Sequence, residues 1–311
     1  MGQHHPILVH HADYDAASVP DAHRFPMRKY SIVAQLLRAR GFGFANPHPA
    51  TPEELERVHR PGYVSDILNG TLDQKVARRI GFEITPAVAR RARAAVGGTT
   101  LAARYALLHG AAANLAGGSH HAGPDAGAGF CVFNDVAVAA EVVIAEGEAK
   151  RVLIVDLDVH HGDGTAVIFA GREDVFTFSV HCEENWPRQK PPSDLDIGLP
   201  RGTGDGMYLM TLRKGLAKAL DLARPDLIFY NAGVDPHKDD RLGYLCLTDG
   251  GLAERDRIVI SACRKRGVPV CGVLGGGYSK DAEAVARRHL FLVDALTDQT
   301  ADSARTLKLT T

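Results

Sequence analysis

Short runs of apolar, mostly β-branched residues alternate with longer amphipathic stretches along the chain. Side chains alternate between two faces in a strand and recur on one face at helical spacing, so short runs predict strands and long stretches predict helices. The predicted strands are Ile7–Val9, Val152–Asp156, Val175–Val180, Leu227–Asn231 and Val270–Leu274. The predicted helices include Met27–Ala39, Pro86–Leu108, Asp135–Glu146, Tyr208–Leu222 and Gly251–Arg266. This alternation predicts βαβ units, with a parallel sheet covered by helices on both faces.

No internal repeat, low-complexity segment or Pro/Ser-rich linker divides the sequence, so we expect one α/β domain over residues 1–311. The 36 Lys and Arg residues nearly balance 37 Asp and Glu, which gives a formal net charge of −1. Direct nucleic-acid binding is not expected, because it normally needs a basic excess or a basic stripe.

Cysteine usage and the chain start predict the cellular setting. The five cysteines are odd in number, widely spread and free of any CxxC pair, which argues against disulfides and a cysteine zinc site. The N-terminal residues lack the basic start and apolar stretch of a signal peptide, and no apolar run has bilayer-spanning length. We therefore expect a cytoplasmic protein that does not bind membranes; the sequence does not indicate its oligomeric state.

The segment from Val152 to Gly164 carries the strongest chemical signal. Its apolar strand leads directly into Asp156, Asp158 and His160 at alternate positions, and a period of two places these side chains on one face. Carboxylate oxygens and imidazole nitrogens are good zinc ligands. A solvent-facing strand end is the structural alternative, but three alternating ionisable groups after a buried strand favour a metal site.

A further ligand should come from another loop, because a catalytic zinc typically has three protein ligands and one open position. The segment 231–243 follows another apolar strand and is the obvious donor. Four residues in it compete for this role, and spacing does not choose among them: Asp235, His237, Asp239 and Asp240. Helix capping or a turn network is the alternative role for the aspartates.

Two further motifs carry candidate catalytic groups. His120 and His121 lie in a glycine-rich loop, where they could act in acid–base chemistry, bind metal or simply be exposed. Asp156 and Asp163 are available to orient these imidazoles if the metal uses the other members of the loop. Tyr278 follows three glycines, so its hydroxyl could donate to an oxyanion, although a surface-packed tyrosine is the alternative.

Together, the segments GSHHAG, GFCVFND, DLDVHHGDG, NAGVDPHKDDRLG and LGGGY resemble the motif series of zinc-dependent histone deacetylases, in the same order. The resemblance extends over roughly residues 5 to 295. It implies the arginase–deacetylase fold, in which a central, mainly parallel eight-stranded sheet is flanked by helices.

The resemblance also implies roles for individual residues. The implied zinc ligands are Asp158, His160 and Asp240, the last because it precedes Arg-Leu-Gly. The implied catalytic groups are His121 supported by Asp163, His120 supported by Asp156, and Tyr278. One Zn²⁺ per chain is expected, although Fe²⁺ suits the same ligands.

Substrate and potassium positions follow from the same resemblance. The implied substrate-binding residues are Gly129 and Phe130 in the acyl-lysine channel, Gly276, and Arg28 at an internal acetate-release cavity. A structural K⁺ is expected beside the zinc loop, at Asp156, Asp158, His160, Ser179 and Val180. A second wall of the channel remains unassigned by the sequence.

Some features differ from the family pattern. Asp239 replaces the glycine that usually precedes the last ligand, and the segment 185–196 and the DRLG turn resemble the bacterial and class IV branch. Because substrates in that branch are diverse, we expect zinc-dependent hydrolysis of an acylated-lysine amide, with acetylpolyamines or other small acylated amines as the alternative.

Three other functions are less consistent with the sequence. An arginase-like enzyme with two metals would need additional carboxylates at the metal loop. A non-catalytic acyl-lysine binder would usually have lost a ligand, the base or the oxyanion donor, and none is missing. Dinucleotide or phosphate binding is not supported, because the glycine loops lack the required strand-turn-helix context.

Overall fold

Within residues 6–16 and 18–298, which a computed structural model describes, seven strands form one parallel sheet in the order β1-β2-β7-β6-β3-β4-β5. The strands are β1 (Ile7–Val9), β2 (Ala111–Asn114), β3 (Val152–Asp156), β4 (Val175–Cys182), β5 (Leu195–Leu199), β6 (Leu227–Asn231) and β7 (Val270–Val273). Residues 1–5, 17 and 299–311 lie outside the described residues, as do the parts of the predicted domain and N-terminus that fall on them.

Helices connect the strands and cover the sheet. They are α1 (Lys29–Ala39), α2 (Pro52–Leu55), α3 (Pro61–Asn69), α4 (Gln74–Ile80), α5 (Pro86–His109), α6 (Asp135–Ala145), α7 (Asp163–Ile168), α8 (Asp205–Ala223), α9 (Asp249–Arg266) and α10 (Ala282–Thr297). A 3₁₀ turn spans Ala12–Tyr14. The predicted α/β class and parallel sheet are confirmed, with seven strands in the described residues where the resemblance implied eight.

The boundaries of the longest helix follow from its capping residues. The Thr85 side chain accepts a hydrogen bond from the Val88 backbone N–H, and Pro86 occupies the first turn, where a missing N–H costs little. Gly110 ends the helix at φ 87°, a left-handed conformation that glycine adopts without a steric penalty. The sequence prediction for this helix was therefore accurate to within one residue.

The central strands are buried on both faces, which explains their continuous apolar runs. Leu153 and Val155 of β3 belong to one hydrophobic cluster, whereas Val152 and Ile154 belong to the other. Parallel sheets covered by helices on both faces typically have such strands. The sequence prediction missed β2, whose run of three alanines lacks β-branched residues, and it also missed β5 and α10.

The chain changes direction across the sheet at the boundary between β3 and β6. From β3 the chain continues to β4 and β5 on one side, whereas from β6 it continues to β7 on the other. Parallel α/β sheets bind ligands at the carboxyl ends of strands beside such a switch point. The loops that carry the predicted metal ligands follow these two strands.

A buried arginine contacts both the loop after β3 and the loop after β6. Arg255 is fully buried, and its guanidinium donates hydrogen bonds to the backbone carbonyls of Leu157, Ala232 and Gly233. Its Nε donates a hydrogen bond to Asp256 at 2.9 Å. Because both side chains are buried, each charge is stable only when the other is present. Arg255 thereby holds the loop after β3 against the loop after β6.

We expect Arg255→Met to lower the free energy of unfolding by about 3–5 kcal/mol, because it leaves the Asp256 carboxylate buried without its partner. Urea denaturation measures this change. Arg257→Met is the matched control: Arg257 lies on the same helix, is exposed and pairs with Glu254, so its loss should change stability by less than about 1 kcal/mol. Equal effects of the two substitutions would contradict the bracing role.

Candidate active site and metal centre

A cleft of about 980 Å³ opens where the loops after β3, β4, β6 and β7 meet. Its floor contains His121, His160 and Tyr278, and its walls include Phe130 and Trp186. The cleft has the size typical of small-molecule and cofactor sites. It therefore brings together residues from all five of the motif segments that the sequence marked as chemically informative.

One group of buried side chains in this region could hold a metal ion. It contains Asp158, His160 and Asp235, whose ligand atoms lie within 4.8 Å of one another. The Nδ1 atom of His160 lies 3.0 Å from Asp158 Oδ1 and 3.1 Å from Asp235 Oδ2. Asp158 and His160, two of the predicted ligands, are therefore adjacent. Asp235, which spacing left as an open candidate, lies beside them.

Asp240, the ligand implied by the resemblance, lies outside that group. Its Oδ1 accepts hydrogen bonds from the Leu242 and Gly243 backbones, and its Oδ2 accepts one from the Tyr278 backbone at 2.7 Å. Asp240 directly precedes two cleft-lining residues, Arg241 and Leu242, and is partly exposed, whereas Asp235 is fully buried.

The other two open candidates have partners elsewhere. His237 is buried and lies 3.2 Å from Asp249, and Asp239 pairs with Arg288 at 3.1 Å. Arg288 also donates to Asp249, so these side chains form one ion-pair cluster. We therefore exclude His237 and Asp239 from the proposed ligand set.

The candidate ligands also link the loops that carry them. The Gly276 backbone donates to Asp158 Oδ2 at 2.8 Å, and the Val159 backbone donates to Asp235 Oδ1 at 2.9 Å. A Cβ atom at Gly276 would collide with the carboxylates of both aspartates, so this position requires glycine. The structure therefore places Gly276 against the ligand group. Gly276 is not among the residues that line the cleft, although the resemblance had implied that it binds substrate.

The donor set fits a divalent metal. Burial and the neighbouring Asp158 charge raise the pKa of Asp235 to about 8, and burial also raises the pKa of Asp240. These directions show that negative charge is concentrated in a region with little solvent to stabilise it, which a cation would offset. Imidazole nitrogen and carboxylate oxygen suit Zn²⁺, and they also suit Fe²⁺.

The two adjacent histidines are each oriented by a carboxylate. His120 Nδ1 lies 2.6 Å from Asp156 Oδ2, and His121 Nδ1 lies 2.6 Å from Asp163 Oδ1. Because an ionised carboxylate only accepts hydrogen bonds, both Nδ1 atoms carry hydrogen. The two Nε2 atoms then face each other at 3.1 Å, a contact that requires one proton between them.

The surroundings of these imidazoles shift their pKa values in opposite directions. Burial opposes charge on both rings, but the charges of Asp156 and Asp158 outweigh it and raise the pKa of His120 to about 9. Burial and the adjacent His120 charge lower the pKa of His121 to about 3. His121 is therefore the neutral member of the pair at physiological pH and is able to accept a proton.

Phe130 presents its ring to the cleft from an unusual backbone conformation. Its φ of 66° is in the left-handed region, which bulky residues rarely adopt, and such strain is often found at functional sites. The backbone N–H of Phe130 donates to Ile80 at 2.6 Å, and its ring lies 5.7 Å from the Tyr278 ring. Within the described residues, the Tyr278 hydroxyl makes no hydrogen bond, so it is free to donate to a substrate.

Trp186 also lines the cleft, and the sequence analysis did not identify it. Its ring lies 4.5 Å from the His121 ring, and a Cβ atom at Gly129 would contact both rings. The signal available in the sequence was the single tryptophan of the chain, located in a loop that follows a strand. Spacing alone could not show that this loop folds over His121.

A buried lysine lies next to Arg28, the residue that the resemblance implied at an internal cavity. Arg28 is exposed and lies 3.6 Å from Asp21, so the structure does not bring it to an internal cavity. The next residue, Lys29, is fully buried, donates to the Gly275 carbonyl at 2.9 Å and lies 5.7 Å from the Tyr278 ring centre. Burial lowers the pKa of Lys29 to about 8. Arg28 immediately precedes α1, and successive side chains at a helix start point about 100° apart, so these neighbours differ in burial.

Three of the predicted potassium residues lie on adjacent strands, and Asp158 and His160 lie in the loop after β3. Asp156 and Ser179 are direct partners in the β3–β4 register, and Val180 follows on β4. The Ser179 hydroxyl lies 2.9 Å from His181 Nδ1. His181, His161 and Asp196 form a second group with ligand-atom spacing suited to a metal, away from the cleft.

Comparison with known proteins agrees with this fold and site. The model of the histone deacetylase domain matches residues 23–293, so the chain belongs to this family. An uncharacterized protein of Picosynechococcus sp. is 48% identical over 94% of this chain and 98% of its own length. The histone deacetylase-like amidohydrolase of Pseudomonas aeruginosa is 32% identical over 75% of this chain and 65% of its own length.

A solved structure extends the agreement to three dimensions. The crystal structure of an HDAC homolog complexed with SAHA has a TM-score of 0.81 and 25% identity, covering 94% of this chain and 84% of that one. The chain is therefore a hydrolase of the histone deacetylase family, with the arginase–deacetylase fold that its sequence motifs implied. Among the described helices, none combines the length and apolar character that a membrane span requires.

Substitution of the two competing carboxylates tests which of them binds the metal. We expect Asp240→Asn to abolish zinc binding, because Asp240 lies on the cleft side, where an open coordination position is needed. We expect Asp235→Asn to weaken zinc binding by only about 10–100-fold, as is typical for a residue that supports a ligand, and excess zinc should restore occupancy. Zinc titration of each purified variant after chelation measures both effects. The reverse order would assign the ligand role to Asp235.

Proposed function

We propose that this protein hydrolyses the amide bond of an acylated lysine with the help of one Zn²⁺. The observation that carries this proposal is the arrangement at the cleft floor, where buried His and Asp donors lie beside two imidazoles that carboxylates hold in place. Asp158, His160 and Asp240 are the proposed ligands. When bound there, a zinc ion supplies Lewis acidity and lowers the pKa of coordinated water to about 7.

His121 acts as the general base and then as the general acid. Its Nε2 atom, released from the contact with His120 Nε2–H, takes a proton from the attacking water. Its Nδ1–H remains bonded to Asp163, which stabilises the imidazolium. The same Nε2 atom then returns the proton to the leaving lysine amine. His120, paired with Asp156, keeps a positive charge close to His121 and so favours proton release in the second step.

Tyr278 and the apolar walls position the acyl group. The Tyr278 hydroxyl donates a hydrogen bond to the carbonyl oxygen, which becomes negatively charged during attack. Phe130 and Trp186 enclose the methylenes of the lysine side chain and exclude water from the floor. Gly129 allows this close approach, because a larger residue would fill the space between Trp186 and His121.

The proposal also includes a potassium site, a cellular location and a metal stoichiometry. A structural K⁺ beside Asp156, Asp158, His160, Ser179 and Val180 is supported by the adjacency of their strands and the loop that follows. A cytoplasmic location is supported by five free cysteines, four of them buried. A metal-to-protein ratio near one is expected, whereas a ratio near two would favour an arginase-like enzyme.

We expect His121→Ala to lower kcat for an acetyl-lysine peptide by about 10²–10⁴-fold without loss of bound zinc, because it removes the proton acceptor and leaves the ligands in place. Deacetylation rate and zinc content are measured on the same preparation. His48→Ala, at an exposed histidine outside the cleft, is the matched control and should behave like the unmodified protein. Near-normal turnover by the zinc-loaded His121→Ala variant would rule out the proposed base.

We expect Tyr278→Phe to lower kcat by about 10²–10³-fold with a smaller effect on KM, because the lost donor acts mainly on the charged oxygen that develops during attack. The ring that contacts Phe130 is retained, so packing of the cleft should not change. Steady-state kinetics with the acetyl-lysine peptide provide the measurement, and a change confined to KM would show that the hydroxyl serves ground-state binding only.

A further inference from the structure

Five arginines surround the mouth of the cleft. They are Arg24, Arg78, Arg79, Arg188 and Arg241. All five are exposed, and among the described residues none has a carboxylate within ion-pair distance. We call this set the arginine rim.

The cleft contains almost no negative charge that substrates could reach. Asp163 is the one carboxylate among its lining residues, and it is held 2.6 Å from His121 Nδ1. The chain as a whole has a formal net charge of −1, so the rim does not reflect a general basic excess. A cleft bordered by charges of one sign concentrates the electrostatic field and attracts ligands of the opposite sign.

The arginines come from separate segments of the chain, some beside Phe130 and others beside Trp186. On the Phe130 side, Arg79 contributes a backbone carbonyl that accepts from Gly129 at 3.0 Å, which fixes the end of α4 beside the channel. On the Trp186 side, Asn185 donates to the Leu242 carbonyl at 2.6 Å and so joins the loop of Arg188 to the loop of Arg241. A peptide that crosses the mouth while its lysine enters the channel would therefore meet guanidinium groups in both directions.

We propose that the arginine rim selects acyl-lysines in acidic peptide segments and disfavours cationic substrates. This inference rests on the proposed deacylase function and adds the class of substrate. A guanidinium group binds a carboxylate through two parallel hydrogen bonds, so aspartates and glutamates beside the acylated lysine suit the rim. Acetylpolyamines, the alternative substrates considered from sequence, carry further positive charge, which the rim would repel.

An acidic peptide fits the rim better than a small anionic amide does. The guanidinium groups are outside the channel and on separate loops, whereas a small acylated amine would lie between Phe130 and Trp186. A peptide chain extends beyond the channel in two directions and places side chains on both groups of arginines. An acidic peptide and a small anionic amide both carry a carboxylate near an acyl amide. The experiment below therefore distinguishes these two kinds of substrate.

The test compares zinc-loaded enzyme on acetyl-lysine peptides of equal length with Asp, Ser or Lys at the flanking positions. At low salt, we expect kcat/KM to be about 10–100-fold higher for the Asp peptide than for the Lys peptide, mainly through KM. At high salt the preference should largely disappear, because mobile ions screen exposed charges. Acetylputrescine should be a poor substrate. Acetamidohexanoate, which carries one carboxylate and no peptide chain, should be turned over less efficiently than the Asp peptide.

Charge-removing variants assign the preference to the rim. We expect the double variants Arg78→Gln/Arg79→Gln and Arg188→Gln/Arg241→Gln each to lower the Asp-to-Lys ratio by about 3–30-fold at low salt. Arg57→Gln is the matched control, because Arg57 is exposed and unpaired with any described carboxylate but does not line the cleft. The Asp-to-Lys ratio of this control should equal that of the unmodified enzyme.

The possible outcomes separate the two proposals. Turnover of all peptides at equal rates, or preference for the Lys peptide or acetylputrescine, would overturn the role of the rim but leave the deacylase function intact. No turnover of any acylated amide by zinc-loaded protein would overturn the proposed function itself. Rim-dependent binding of a single-stranded DNA oligonucleotide, without a charge preference among peptides, would overturn the peptide assignment in favour of a nucleic-acid surface.

Discussion

The burial of several carboxylates around one imidazole is the constraint on which the site depends. Asp158, Asp235 and Asp240 lie close to His160, and each accepts a backbone hydrogen bond within the surrounding loops. Two of these bonds join the loop after β7 to loops after β3 and β6. The bonds fix the carboxylates but only partly offset their mutual repulsion, as the raised pKa of Asp235 shows. A divalent cation would stabilise this arrangement, so metal binding and local stability are coupled.

The cleft separates charges of opposite sign along its depth. Carboxylates, which suit a cation, are buried beside its floor, whereas its mouth carries the arginine rim. Aromatic walls lie between them. Because the mouth is exposed, mobile ions screen the charges of the arginine rim. In the proposed function, the rim therefore affects which substrates approach, and the residues at the floor carry out the chemistry.

Local patterns predicted most of the regular structure. The central strands β3 and β6 are continuous apolar runs of β-branched and aromatic residues, and their predicted boundaries agree with the structure. Strand β2 was missed because its alanines have low strand propensity, and it forms through parallel pairing with β1 and β7. Pairing between distant segments is a tertiary effect that no local pattern contains.

The sequence by itself determined the α/β class, the family and the kinds of side chain that follow each strand, because these depend on residue types and short-range order. Spacing alone left the third candidate ligand open, and only the family resemblance chose Asp240. The sequence also selected Arg28, although Lys29 is the buried neighbour, and it gave no role to Trp186. The tertiary structure determined which carboxylates lie beside His160 and which arginines surround the mouth. It also determined that Trp186 lines the cleft together with Phe130. These are distances and directions between residues far apart in the chain, and they are set only when the loops pack against one another at the edge of the sheet.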